Sequence, residues 1–158
     1  MTTSIDPSQL PLGRPPPVDD GAAVHVQGSL VPDVHLRSTN GSLVSLARLG
    51  KGRAVVYAYP RTGRPGEPEL TDDWDLIPGA RGEELVARLH LPFPVLSDAD
   101  LALTQAMRLP TFRAAGQTLL HRLTLMIRDG RVEQVWYPVF PPDRHAGEVL
   151  QWLLTAEG

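Results

Sequence analysis

The apolar positions of the chain fall into continuous runs and periodic runs, which predict strands and helices respectively. RAVVYAYP, residues 53–60, is apolar, β-rich and stopped by proline. Such a run is typical of a strand that is buried on both faces of a sheet. HRLTLMIRDGRVEQVWYPV, residues 121–139, has two β-rich runs on either side of Asp129 and Gly130. This pattern predicts a hairpin with a type I′ turn.

Weaker strand signals lie before and between these runs. Residues 23–36 alternate short apolar pairs with glycine and proline, which predicts extended segments. Asn40 and Gly41 predict a turn that either joins two short strands or ends one. FPVLSD, residues 93–98, predicts a short strand followed by a helix cap.

Three segments carry the helical period of apolar positions. The first, residues 83–91, places on one face Leu85, Val86 and Leu89. The second opens at Ser97 and Asp100, whose spacing resembles a capping box, and its shared face consists of Ala99, Leu103, Ala106 and Met107. The third starts at residues 141–143, and its apolar face consists of Ala146, Val149, Leu150, Leu153 and Leu154.

Two stretches without a periodic pattern are predicted to be loops. Residues 60–82 are rich in glycine and proline, and loops of more than ~15 residues in a compact domain are usually functional or disordered. Residues 110–116 form the second loop. The resulting order of strand, long loop, helix, strand, helix, hairpin and helix predicts an α/β or α+β layered domain over residues 23–158. Residues 1–22 are proline-rich and are predicted to be a disordered tail.

The composition excludes or disfavours several classes of site and partner. The chain has no cysteine, which excludes disulfides, thiolate metal sites and thiol catalysis. A formal charge of −3 disfavours nucleic acid as a partner. The histidines are far apart and are expected to be solvated or locally bonded, and the acidic cluster in the long loop is expected to be a solvated face, so no metal or cofactor is predicted. The histidines are His25, His35, His90, His121 and His145, and the cluster is Asp72, Asp73 and Asp75.

Membrane and export signals are also missing from the sequence pattern. The apolar runs are far shorter than the ~20 residues that span a bilayer. The first residues lack the basic start and the apolar stretch of a secretory signal. The expected location is the cytoplasm, with no membrane partner.

Several segments, taken in order, resemble the peroxiredoxins, the AhpC/TSA redoxins, and among them the bacterioferritin comigratory or Q-type group. Residues 31–66, VPDVHLRSTNGSLVSLARLGKGRAVVYAYPRTGRPG, are similar to the first part of that family. The family's later strand and helix are resembled by LPFPVLSDADLALTQAMRLP. Its R-x-T-F-x-I strand and the following hairpin are resembled by HRLTLMIRDGRVEQVWYP. The resemblance implies a thioredoxin-like three-layer α/β/α sandwich with a mixed sheet, shortened by about one βα unit.

The family's reactive cysteine has no counterpart here. In relatives with a long loop ending like PGARG, the peroxidatic cysteine follows and begins a helix, whereas here Gly82 is joined directly to EELVARLHLPF. An alternative alignment places Glu67 of RPGEP where a shorter-looped relative has the cysteine of TPGC. In both alignments no thiol remains. The resemblance implies that Arg122 matches the arginine that stabilises thiolate and peroxide, and that the pocket loop is matched by Pro60, Arg61 and Thr62.

The missing unit raises a question of strand pairing. In the thioredoxin-like sheet the missing strand lies beside RAVVYAYP, on the side away from the hairpin. PVLS, residues 94–97, is expected to move inward and pair with residues 55–59 through a right-handed crossover. If that space stays empty, the exposed strand edge is a site of dimerisation or aggregation.

Three functions are compatible with the sequence. The first is a degenerate peroxiredoxin, a pseudoenzyme in which the fold is partly kept and thiol-dependent peroxide reduction is lost. The second is an active thiol peroxidase whose catalytic segment is missing from this sequence, with a thioredoxin-type reductant as partner. The third is an interaction module that uses the proline-rich PRTGRPGEPEL or GRPPPVDD. A homodimer is the assembly considered.

Overall fold

The computed structural model describes residues 17–60, 93–114, 116–140 and 142–157. The predicted helix over residues 83–91 and the long loop beyond Pro60 lie outside these ranges. In chain order, the described elements are β1 (His35–Ser38), β2 (Leu43–Ser45), a 3₁₀ turn (Leu46–Arg48), β3 (Arg53–Ala58), β4 (Leu96–Ser97), α1 (Ala102–Met107), β5 (Thr111–Ala114), β6 (Gln117–Leu120), β7 (Leu123–Arg128), β8 (Arg131–Trp136) and α2 (Pro142–Ala156).

The main sheet has the order β3-β7-β8, with both pairs antiparallel. The predicted hairpin is confirmed, because Asp129 and Gly130 connect β7 to β8 with φ angles of 51° and 77°. A type I′ turn requires positive φ at both central residues, and the Asp-Gly pair meets this requirement at little cost. Helix α2 covers one face of the sheet, and α1 and the N-terminal segments cover the other face.

The core lies between the sheet and α1. Three of its most buried members are on β7, whose Leu123, Leu125 and Ile127 are at most 2% exposed. The prediction that RAVVYAYP is buried on both faces is wrong, although the strand itself is confirmed as β3. Its residues are half-buried and Tyr57 is 47% exposed. The reason is position, because β7 is the central strand of the described sheet and β3 lies at its edge.

A smaller sheet has the order β2-β1-β4. The turn at Asn40 and Gly41 joins β1 to β2, which confirms the first of the two alternatives. Strand β4 pairs with β1 through Arg37 and Ser38 and not with β3, so the predicted inward move of PVLS is wrong. A backbone bond from the Thr39 amide to the Val95 carbonyl, 3.0 Å long, extends this pairing.

The segment before β1 also differs from its prediction. Residues 22–28 form consecutive turns in place of extended chain. The amide of Val26 bonds the carbonyl of Ala23 at 3.1 Å, and that of Ser29 bonds the carbonyl of Val26 at 3.1 Å. These turns place Ala23 and Val26 on the same side, where both are buried in the core.

The capping box predicted at Ser97 and Asp100 is wrong. Asp98 caps α1, because its carboxylate accepts bonds from the amides of Leu103 and Thr104 at 3.0 and 2.9 Å. It also accepts a bond from the Thr104 hydroxyl at 2.6 Å. Leu103 and Met107 are buried as predicted. The other two members of the predicted face, Ala99 and Ala106, are exposed.

The loop predicted over residues 110–116 is largely a hairpin. Strands β5 and β6 pair from Thr111 and Leu120 inward to Ala114 and Gln117. The intervening Gly116 has φ of 75°, which suits a tight turn. The strand signal is weak because Arg113 and Gln117, among others, leave both strands half-exposed.

Helix α2 is confirmed, but its apolar face is rotated from the prediction. Val149 is buried, whereas Ala146, Leu150 and Leu154 are exposed. The side chains that contact the sheet include His145 and Trp152, which are aromatic or polar and were not part of the predicted stripe. The aromatic residues take the inner positions because they meet partners on the sheet.

Candidate functional site

The residues matched to the family's pocket lie where β3 ends and β7 begins. Ala58 of β3 pairs with Leu123 of β7, so Tyr59 and Arg122 are the next residues at this end of the ladder. Pro60 follows Tyr59 directly. The site in the described structure therefore consists of Tyr59, Pro60 and Arg122. Arg61 and Thr62 lie outside the described residues.

Arg122 is a half-buried cation. Burial lowers the pKa of its guanidinium from the ordinary value, and the charge of Tyr59 acts in the opposite direction. An arginine side chain nevertheless stays charged in proteins. No ion pair joins Arg122 to a carboxylate within the described ranges. Its backbone carbonyl accepts a bond of 3.3 Å from the Val139 amide, which holds the residue against the segment after β8.

The chemistry available at this site is limited by the absence of a thiol. A peroxiredoxin reacts because a thiolate of lowered pKa attacks peroxide and becomes a sulfenic acid. The chain has no cysteine at any position. Hydroxyl and guanidinium groups do not undergo this cycle. What the site offers is positive charge at a partly enclosed position.

A metal site receives no support from the described residues. No group of three or more histidine, aspartate or glutamate side chains in that part of the chain could hold an ion. Four histidines, His25, His35, His121 and His145, fall within the described ranges. His25 contacts the carbonyls of Met107 and Arg108 at 3.1 and 3.0 Å, at the end of α1.

His145 is a buried histidine with partners on both ring nitrogens. Its Nε2 lies 2.7 Å from the Thr124 hydroxyl of β7, and its Nδ1 lies 3.3 Å from the Glu148 carboxylate. Its ring meets those of Tyr57 and Trp136 edge to face, with centroids 6.0 and 5.9 Å apart. Of the two states expected for the histidines, solvated or locally bonded, His145 has the second. The sequence signal for its inward position is the spacing of His145, Val149 and Trp152 at i, i+4 and i+7.

An ion pair lies on the same face of the sheet, farther from His145. Arg53 of β3 makes a two-pronged contact with Glu133 of β8, with distances of 2.7 and 2.9 Å. The Arg53 guanidinium also lies 5.4 Å from the ring centroid of Trp152. The hydrogen bonds from Arg53 lower the pKa of the Glu133 carboxyl. The sequence pattern does not reveal this pair, because its members are 80 residues apart.

A shallow cavity of about 480 Å³ lies between the N-terminal segment and β8. Tyr137 lines it, and burial together with the charge of Asp20 raises the pKa of that phenol to about 12. The neighbouring His121 ring lies 5.9 Å from the Tyr137 ring, and burial lowers its pKa. The other lining residues are Asp19, Ala23, Val24, Gln27 and Val135.

Comparison with solved structures defines the fold. The crystal structure of a PrxQ mutant from Xylella fastidiosa superposes with a TM-score of 0.61 at 20% sequence identity, covering 84% of this chain and 97% of that chain. The chain therefore has the thioredoxin-like α/β fold of the peroxiredoxins, in a shortened form. The described helices include none long and apolar enough to cross a membrane.

Sequence relatives identify the family. A putative chloroplastic peroxiredoxin Q of Oryza sativa subsp. indica is 30% identical over 146 residues, and a chloroplastic peroxiredoxin Q of Gentiana triflora is 25% identical over 169 residues. The alignments cover 80% and 92% of this chain, and 66% and 77% of the relatives. The chain belongs to the peroxiredoxin family. No family model matches it.

The same alignments show that this chain is shorter within the matched region. The alignment with the Gentiana protein is 169 positions long, although it uses 92% of a chain of 158 residues. The relative therefore contributes residues that have no counterpart here. This agrees with the loss of a segment that the sequence predicts, while its position at Gly82 stays a prediction.

Proposed function

We propose that this chain is a peroxiredoxin-like protein that does not reduce peroxides. The observation that carries the proposal is the absence of cysteine from all 158 residues. Without a thiolate there is no group to accept the peroxide oxygen, and no sulfenic acid for a reductant to act on. The chain is therefore a pseudoenzyme within an oxidoreductase family.

The Arg122 site supports descent from an active enzyme. Burial removes part of the hydration of this charged group and lowers its pKa. In the family pattern this arginine stabilises the thiolate and the peroxide. In this chain the arginine is present, next to Tyr59 and Pro60, and the thiolate is absent.

The test is consumption of hydrogen peroxide and an organic hydroperoxide by the purified chain, with dithiothreitol or thioredoxin as reductant. The intact mass is determined on the same sample, and the expected values are no turnover and 17.3 kDa. Turnover at that mass would contradict the proposal. An Arg122→Gln variant then serves as the control, since it would abolish turnover that depends on this site and leave contaminant activity unchanged.

A second candidate is an active thiol peroxidase that retains the missing segment and uses a thioredoxin-type reductant. The alignments favour it as an alternative, because the relatives contribute additional residues in the matched region. A transcript or natural protein longer by about one βα unit, roughly 30 residues, would support this candidate. A natural protein of the same length as this sequence would exclude it.

The cellular location is part of the same proposal. We place the protein in the cytoplasm on the sequence signals alone, whereas the plant relatives are named chloroplastic. Fractionation of the source cells, followed by immunodetection of the chain, tests this placement.

A further inference from the structure

The two edges of the main sheet differ in how their backbone groups are covered. Residues 28–31 run along the outer edge of β8 and bond to it. The Gly28 amide bonds the Val132 carbonyl at 2.7 Å, the Val132 amide bonds the Ser29 carbonyl at 2.9 Å, and the Val31 amide bonds the Gly130 carbonyl at 2.8 Å. At the other edge, β3 pairs with β7 and with no second strand among the described residues.

The backbone groups at the open edge follow from the hairpin. Arg128 and Arg131 flank the two-residue turn and form the first hydrogen-bonded pair of the β7–β8 ladder. Because successive residues of a strand point their backbone groups to opposite sides, those of Ile127 and Leu125 point toward β3. Their partners on β3 are Ala54 and Val56. The amides and carbonyls of Arg53, Val55 and Tyr57 therefore point outward.

Within its own residues, β3 lacks the devices that usually protect an edge strand. Such strands are commonly blocked by a charged side chain, a proline, a bulge or short length. Strand β3 has six residues, and its register with β7 is regular. Its one charged side chain, Arg53, is directed across the sheet to Glu133 and Trp152. The guanidinium of Arg53 is thus engaged within its own sheet and does not block the edge.

We propose that the open edge of β3 is a homodimer interface, in which two copies of β3 pair antiparallel about a twofold axis centred on Val55. In this register Val55 lies opposite Val55 of the second copy, and Arg53 lies opposite Tyr57 of the second copy. All three outward residues of each strand then form hydrogen-bonded pairs. The register brings no like charges together, and it covers Tyr57, which is 47% exposed in the single chain.

The first measurement is the mass of the full chain in solution by light scattering or sedimentation, at several concentrations. The expected mass is twice that of the 17.3 kDa chain. Val55→Pro removes an outward amide and leaves the bonds to β7 in place, so a mass of one chain is expected for this variant. A single-chain mass for the parent at every concentration overturns the proposal, because it means that the edge is covered within one copy.

The absence of cysteine allows a direct test of the register. Val55→Cys places a thiol opposite itself, and residues in a hydrogen-bonded pair have Cα atoms about 5.5 Å apart, which is within disulfide range. Mild oxidation is expected to give a covalent dimer. The matched control is Leu43→Cys on β2, which is 64% exposed and lies at an edge of the smaller sheet. Equal cross-linking of both variants indicates random collision and contradicts the register.

A charge pair keeps the proposal testable if Val55→Pro does not fold. Tyr57→Lys places a positive charge opposite Arg53 of the second copy, and Tyr57→Glu places a negative charge there. Both variants change the same half-exposed position. The expected result is a weaker dimer for the lysine variant and a retained dimer for the glutamate variant. The same dissociation constant for both contradicts the proposed pairing.

Discussion

His145→Ala is the substitution that tests most directly how α2 is held on the sheet. The side chain is 4% exposed, and its Nε2 contacts the hydroxyl of Thr124, which is 1% exposed. The variant removes the ring from between Tyr57 and Trp136 and leaves the Thr124 hydroxyl buried without this partner. Both effects lower the free energy of unfolding.

The magnitude can be worked from these contacts. A buried hydroxyl that loses its partner costs about 1–3 kcal/mol. Truncation of a buried ring adds the lost packing and a cavity, and each lost edge-to-face contact contributes about 0.5–1.5 kcal/mol. We expect a loss of about 3 kcal/mol in the free energy of unfolding. For a domain of this size this lowers Tm by roughly 6–12 °C.

The assay is urea denaturation followed by tryptophan fluorescence, since Trp136 and Trp152 contact each other beside His145 with centroids 5.7 Å apart. Leu150→Ala is the control on the same helix, because Leu150 is 56% exposed and its loss should cost less than about 0.5 kcal/mol. Thr124→Val, made both in the parent chain and in the His145→Ala variant, completes a double-mutant cycle that isolates the hydrogen bond between the two side chains. A cost of His145→Ala equal to that of Leu150→Ala would refute the inward position of this helix face.

Two further predictions concern pH and glycine. Burial lowers the pKa of His121, so the unfolded chain binds the proton more readily, and stability is lost as pH falls below about 6.5 toward the folded pKa. His121→Gln should therefore make the free energy of unfolding less dependent on pH between about 8 and 5. An unchanged slope of that free energy against pH would contradict the effect. Gly130→Ala should destabilise by about 1–2 kcal/mol, because φ is 77° and the new Cβ would lie 3.3 Å from the Ala47 carbonyl oxygen. Gly147→Ala, in an open position of α2, should stabilise by up to about 1 kcal/mol, and thermal melts that rank these two variants in the opposite order would refute this account.

Sequence alone determined the features that depend on composition and on neighbouring residues. The absence of a thiol is a property of the chain itself and excludes thiol chemistry before any fold is known. The β7–β8 hairpin was predictable because the Asp129-Gly130 pair satisfies the turn locally. Strand β3 and helix α2 were predictable from runs of apolar residues. The resemblance to the peroxiredoxins added Arg122, whose match to the family's active-site arginine stays a prediction.

The tertiary structure decided every feature that depends on distant partners. Periodicity placed Leu150 and Leu154 inside, but Thr124 and Trp136 on the sheet select His145 and Trp152 as the inner residues of α2. The partner of β4 is β1 and not β3, which a two-residue strand cannot specify by its own pattern. Among the described residues, β3 therefore keeps a strand partner on one side only. Local sequence limits the conformations of each segment, whereas the side chains and strand edges that meet it in space select among them.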